Sequence, residues 1–337
     1  MISLGQTQGQ RVLVVGAGAT YAEAKQAGLP PELQPPLMTT FAQQLWREFN
    51  PHLLMSAFLA TLGHDGGNNA AAKFIELESD GVPGMNVERF FAFAYRNRHL
   101  IAPGCEAYDP ATEYENLLLH GILGPLTLLL ILGLLKPGPQ GDPDLPLTRQ
   151  VAARLRPVDL VVNLNYDTVF ELGAQQAGHQ IAFLPNRPSS SELPIAKPHG
   201  SLNLFLSPSR DRFWFSQPQI VTGIQPADGS RNYLGFVPPR FEKQYDQHPI
   251  AEAILERVAP LIPTVVTFWG IGLTDSDHDL LAIFRRWARS AAVEFINPSQ
   301  ADAARAARLL GVPVLQFHDV DAWTQGRGRA LGFAPIS

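Results

Sequence analysis

The chain has 337 residues, 45% hydrophobic and 17% charged, with a formal net charge of -5 and a pI near 6.0. That length holds one large or two ordinary domains around a full core, and the composition excludes a disordered chain. The acidic balance excludes nucleic-acid binding by a global basic field, and the single cysteine, Cys105, excludes a disulfide framework and a cysteine-rich zinc ribbon.

Arg11–Val15 (RVLVV) reads as a buried parallel strand. Gly16-Ala17-Gly18-Ala19-Thr20 follows as a tight turn into a helix over Thr20–Ala27, which Gly28-Leu29-Pro30-Pro31 ends. From about Thr39 to Leu135 the pattern is helical, as in Phe41–Phe49 and Val87–Tyr95, with no strand. Leu117–Leu135 has the length of a membrane span, but His120, three glycines and Pro125 interrupt it, so a buried helical hairpin is expected. The first residues carry no basic segment followed by an apolar one, and a cytoplasmic protein without a membrane anchor is expected.

Lys136–Pro146 (KPGPQGDPDLP) reads as an exposed connector. Sheet-like runs return at Leu160–Leu164, Ile181–Phe183, Val265–Trp269, Val293–Ile296 and Val314–Phe317. Helical segments at Thr168–Ala177, Pro249–Ala259, Asp277–Ala288 and Ala301–Leu310 lie between several of them, and only a short tail follows Phe317. The alternation predicts an α/β fold, a Rossmann-like doubly wound parallel sheet with a large helical insertion. The expected organisation is one domain over 1–337, with a core from 1–39 and 149–337, a helical insertion at 40–148 and an irregular or small antiparallel excursion at 204–240.

Four polar islands end apolar runs: Gly16–Thr20, Asn163–Asp167, His199–Asn203 and Gly270–Asp277. In a parallel sheet such loops gather along one edge, where ligands bind. Gly16-Ala17-Gly18 between a strand and a helix suits close approach to a pyrophosphate, and equally suits a tight turn with no ligand. The dinucleotide fingerprint calls for a third glycine where this chain has Tyr21. Asn165 and Asp167 are spaced to share one side if the strand continues through them, and Asp167 is also placed to N-cap the next helix. His199, held between Pro198 and Gly200, is either a structural histidine or a group exchanging protons near neutral pH.

The ordered set GAGAT, NLNYD, KPHGSLN, WGIGLTDSDHDLL and INPS resembles the sirtuin-like family of NAD-consuming proteins, most nearly its bacterial anti-phage defence branch. The resemblance implies that Gly16, Ala17, Gly18, Ala19 and Thr20 cradle the NAD diphosphate. It places Asn165 and Asp167 near the nicotinamide ribose, makes His199 the catalytic histidine, sets Gly270 and Gly272 beside the adenosine, and gives its ribose to Asn297. Asn165 would hold the attacking water, and His199 would assist through a ribose hydroxyl or by proton transfer.

Two departures accompany the resemblance. The family's deacylases carry four zinc-binding cysteines, which this chain lacks, so no metal is expected; and its Gly-Ile-Pro-Asp-Phe-Arg segment is replaced by Ala27–Glu32. The implied function is an NAD glycohydrolase releasing nicotinamide and ADP-ribose, used to deplete NAD in anti-phage defence. The alternatives are a zinc-free NAD-dependent deacylase and a non-catalytic NAD or ADP-ribose sensor. The implied partners are NAD and either further copies of the chain or a separately encoded Argonaute-like or HerA-like sensor, with no direct nucleic-acid binding.

Overall fold

The side chains of Arg11–Val15 (β1) divide between two cores, Val12 and Val14 entering one and Leu13 and Val15 the other. A strand buried on both faces belongs to a sheet covered on both sides by helices. The computed structural model describes residues 9–31, 34–35, 52–97, 143–207, 212–215, 233–237, 243, 245, 248–274 and 277–331.

After β1 come α1 (Ala17–Gln26), α2 (His52–Thr61), α3 (Ala70–Ser79), α4 (Val87–Arg96) and α5 (Pro146–Ala152). Next are β2 (Leu160–Asn163), α6 (Val169–Gln176), β3 (Gln180–Phe183), β4 (Glu192–Ala196), β5 (Gly200–Leu206), β6 (Phe213–Phe215) and β7 (Tyr233–Phe236). The remaining elements are α7 (Pro249–Val258), β8 (Val265–Trp269), α8 (His278–Ala288), β9 (Ala292–Ile296), α9 (Gln300–Leu310), β10 (Val314–Phe317), α10 (Val320–Thr324) and β11 (Arg329–Leu331).

Eight strands form one sheet in the order β11-β10-β9-β8-β1-β2-β4-β3, parallel throughout except for β11. The chain moves from β1 to one side of the sheet, then returns to β8 on the other side, so the switch point lies between β1 and β8. This is a Rossmann-like doubly wound α/β fold. On one face α7, α8 and α9 supply Ile254, Phe284, Trp287 and Ala306; on the other α1, α5, α6 and α10 supply Ala19, Val151, Phe170 and Trp323. Helix α8 buries Leu280, Phe284, Trp287 and Ala288 on one stripe, and Asp277 caps it by accepting from the Leu280 amide.

A second, three-stranded antiparallel sheet, β6-β5-β7, starts directly at the site. Its Leu202 and Phe205 pack against α2, α3 and α4, whose core includes Met55, Phe58, Phe74 and Phe90. Tyr166, from the loop after β2, leans on the same cluster.

Several boundaries differ from the expectation. Helix α1 begins at Ala17, three residues early, so Ala17–Thr20 is its first turn and not a loop. Strand β2 stops at Asn163 because the Asn163 side chain accepts from the Asn165 amide and bends the chain, so Asn165 and Asp167 do not alternate along a strand. Helix α6 takes Thr168 as its N-cap residue; Asp167 instead accepts from Val169, two residues on. The segment after Phe317 is not a bare tail: α10 docks Trp323 onto Glu294, and β11 pairs antiparallel with β10. Among the described residues no helix is long and apolar enough to cross a membrane. Phe41–Phe49, Cys105 and Leu117–Leu135 lie outside the described residues.

Candidate active site

Strands β4, β2, β1, β8 and β9 are consecutive neighbours and parallel, so the segments that leave their carboxyl ends stand in a row. The ladder continues one residue past the strands: Leu164 donates its amide to Val15, Gly16 to Trp269, Gly270 to Ile296 and Asn297 to Phe317. All four islands therefore open onto one edge.

At the β1 end, backbone meets backbone. The Gly18 amide donates to the Gly270 carbonyl at 2.8 Å, and the Ala19 amide turns back to Gly16 at 2.9 Å. A Cβ on Gly18 would lie 2.8 Å from that carbonyl oxygen, and one on Gly16 would lie 2.5 Å from Ile271. Gly270 has φ +65°, and a Cβ there would fall 2.1 Å from the Ala19 nitrogen. These three glycines are required by contact between the two turns, whether or not a ligand is bound. The amides of Gly16, Gly18 and Ala19 are thus engaged by the protein. The Ala17 amide has no acceptor among the described residues. Gly272 differs again: it is exposed, and a Cβ there would meet nothing within 4 Å among the described residues.

At the β2 end, side chains meet side chains. Buried Asn165 donates its amide hydrogens to the Gly16 carbonyl at 3.1 Å and to the Thr20 hydroxyl at 3.0 Å. Both donors being used, the amide orientation is fixed, and Oδ1 accepts from none of the described residues. The Thr20 hydroxyl in turn donates to Asp167 Oδ2 at 3.1 Å. Burial raises the Asp167 pKa, against the nearby Lys197 ammonium, the Val169 amide and the Thr20 hydroxyl. Beneath lies a fully buried pair, Lys197 Nζ and Glu171 Oε1 at 3.1 Å, with Asn163 donating to the same oxygen and the ammonium also donating to the Asp167 carbonyl.

His199, buried at the turn from β4 into β5, has Nδ1 3.0 Å from the Leu164 carbonyl, so that nitrogen carries a proton. Its Nε2 lies 3.0 Å from Asp277 Oδ2. The same oxygen accepts from Lys243 Nζ at 3.0 Å and from Tyr245 Oη at 2.8 Å. Burial, then the Lys243 ammonium, pulls the His199 pKa below its ordinary value, with Asp277 and Leu164 opposing. For Asp277, burial acts upward, but His199, Lys243 and Tyr245 outweigh it and hold the carboxyl well below the usual carboxylate range. Tyr245 lies parallel to the imidazole at 6.2 Å between ring centroids, and its hydroxyl pKa is pushed up by burial and by Asp277.

The structure thus brings Gly16, Thr20, Asn165 and Asp167 into one hydrogen-bonded unit, with His199 attached to the residue before Asn165. Asn297 stands further along the row, where its side chain donates to the Ile271 carbonyl at 3.3 Å and accepts from Ser299 at 2.8 Å. Asp277, Lys243 and Tyr245 were not anticipated. Asp277 sits within the fourth island, but Lys243 and Tyr245 lie in FEKQYDQ, which carries no periodicity. Among the described residues no group of three His, Cys, Asp or Glu is placed to hold a metal ion.

No protein-family model matches the chain, and no curated protein matches it in sequence. Among solved structures, a Sir2 homologue in complex with NAD aligns over 87% of this chain and 79% of its own at 15% identity, with a TM-score of 0.36. A Sir2 homologue variant with 2′-O-acetyl ADP-ribose aligns over 87% and 82% at 15% identity and 0.36, and another with ADP-ribose over 87% and 82% at 13% identity and 0.36. The fold assignment rests on the strand order, not on these likenesses.

Proposed function

We propose that the chain is a sirtuin-like NAD glycohydrolase, converting NAD⁺ and water to nicotinamide and ADP-ribose. The observation that carries the reading is the fixed Asn165 amide, with Oδ1 left as an acceptor, next in the chain to Leu164, whose carbonyl holds His199. In the reaction the bond between nicotinamide and ribose breaks with its electron pair going to the leaving ring, and water oxygen bonds to the anomeric carbon. Asn165 Oδ1 accepts from that water and aims its lone pair; effective concentration of this kind lowers the barrier substantially. With Nδ1–H engaged by Leu164, uptake of the water's proton falls to His199 Nε2, which must first turn from Asp277 Oδ2, 3.0 Å away, and returns to it as a donor once protonated. For the diphosphate, the Ala17 amide at the positive end of α1 is the available first-turn donor, and exposed Gly272, after β8, leaves room for the adenosine. Gly18 and Ala19 shape that turn without donating to the ligand.

The setting we propose for it is a cytoplasmic effector that depletes NAD in bacterial anti-phage defence, restrained by further copies of the chain or by a separately encoded sensor. Purified protein incubated with NAD tests the activity. Nicotinamide release without peptide supports hydrolysis; release only with an acyl-lysine peptide makes it a deacylase; binding without turnover makes it a sensor. Cellular NAD followed after expression of the chain alone, with His199→Ala as control, tests the restraint: a fall without any inducer means that the restraint lies in another molecule.

A further inference from the structure

We propose that Asp277 is a positioning residue for His199, orienting the imidazole and, with Lys243 and Tyr245 on the same carboxylate oxygen, setting the charge that the ring carries. The inference rests on the hydrolase reading for its catalytic consequence, but its structural content stands apart from it.

The geometry is specific. Asp277 is shared between two tasks: Oδ1 caps α8 through the Leu280 amide, and Oδ2 gathers His199 Nε2, Lys243 Nζ and Tyr245 Oη within 2.8–3.0 Å. The cap ties the carboxylate to the helix that lines the sheet, so Oδ2 is a fixed point and not a mobile surface charge. On the opposite side the Leu164 carbonyl holds Nδ1, and Tyr166 lies 6.2 Å away between ring centroids. The ring is therefore held at Nδ1 whatever its charge, and at Nε2 as well when that nitrogen is protonated.

The electrostatic consequence follows. While His199 is neutral, its Nε2 lone pair faces Oδ2, and the Lys243 ammonium and Tyr245 hydroxyl satisfy that oxygen. When Nε2 gains a proton, the new N–H donates to Oδ2 and the imidazolium lies beside a carboxylate. Asp277 favours the charged ring; Lys243, a like charge near it, favours the neutral one. The charged and titratable groups around His199 among the described residues are Asp277, Lys243, Tyr245 and Tyr166.

The test is opposite movement in two variants. Asp277→Asn keeps a side chain that caps helices well, so the fold is retained. The protonation of His199 is followed by nitrogen NMR of histidine-labelled protein, with His199→Gln identifying the signal. Removing the carboxylate lowers the His199 pKa by about one unit, and Lys243→Gln raises it by about as much. Nicotinamide release follows: the acidic limb of the kcat profile moves to lower pH in Asp277→Asn and to higher pH in Lys243→Gln. The rate at the optimum falls about tenfold or more in Asp277→Asn with KM little changed. Identical titration of His199 in wild type and both variants, or movement in the same direction in both, overturns the proposal. If the wild type releases no nicotinamide, the hydrolase reading fails, and the NMR titration alone decides the role of Asp277.

Discussion

Between β1 and β8 the chain brings backbone against backbone, whereas between β2 and β4 it brings side chain against side chain. At the first place Gly18 and Gly270 touch through main-chain atoms, and the small residues exist to let two turns meet. At the second, Asn163 and Lys197 donate to Glu171, Lys197 also reaches the Asp167 carbonyl, Thr20 links Asn165 to Asp167, and His199 is held on the Leu164 carbonyl. Both places read as islands after apolar runs, but one is a packing device and the other holds chemical groups. Glycine after a strand is therefore ambiguous in a way that a polar side chain with one unused lone pair is not.

The strongest way to break this contrast is at Gly270. Gly270→Val forces a β-branched side chain into a left-handed backbone and into the Ala19 nitrogen, so we expect destabilisation of roughly 3 kcal/mol or more, read as lost cooperative thermal unfolding. Gly18→Val acts in the same sense because its Cβ meets the Gly270 main chain. If either variant unfolds like wild type and loses only NAD affinity, the glycines serve the ligand after all.

The polar side predicts the reverse pattern. His199→Ala and Asn165→Ala each lower nicotinamide release by ~10²–10⁴-fold, while unfolding stays cooperative with a loss of about 1–3 kcal/mol from the buried groups left unpaired. Near-normal release by both variants removes these residues from the mechanism. Gly272→Leu is the intermediate case. Its added side chain enters open space, so stability stays within about 0.5 kcal/mol, while crowding the edge weakens NAD binding about tenfold in calorimetry. Unchanged affinity would move the ligand away from this turn.

Much of the sheet was legible because its strands are short, β-branched and separated by amphipathic helices. Strand β4 was not, since Glu192 and Pro194 break its apolar run; only pairing with both β2 and β3 makes it a strand. Helix α10 and strand β11 escaped because they are held from outside, by Trp323 donating to Glu294 and by the β10 edge, not by a pattern of their own. His199 and Asn165 stood out as polar residues closing apolar runs. The donor set around Asp277 did not, because His199, Lys243 and Tyr245 reach one oxygen from 78, 34 and 32 residues away. Convergence in space leaves no trace in spacing. The packing of Gly18 is hidden in the sequence for a related reason: its neighbour Gly270 lies in a distant turn.

Thr20 belongs to both regions. Its backbone is the first turn of α1, on the packing side, while its hydroxyl accepts from Asn165 and donates to Asp167, on the polar side. Thr20→Val keeps the shape and removes both hydrogen bonds, leaving one Asn165 hydrogen and one Asp167 oxygen without that partner. We expect a loss of about 1–3 kcal/mol in denaturant unfolding, the cost of buried polar groups left unmade. The amide of Asn165, then held only by the Gly16 carbonyl, is free to turn, so kcat falls while KM changes little. Thr20→Ser restores the hydroxyl without the methyl and returns most of the rate. A Thr20→Val enzyme that is less stable yet turns over NAD at the wild-type rate would mean that Asn165 is positioned by the Gly16 carbonyl alone. The clamp would then belong to the packing of α1, and the boundary between the two regions would shift to the far side of Thr20.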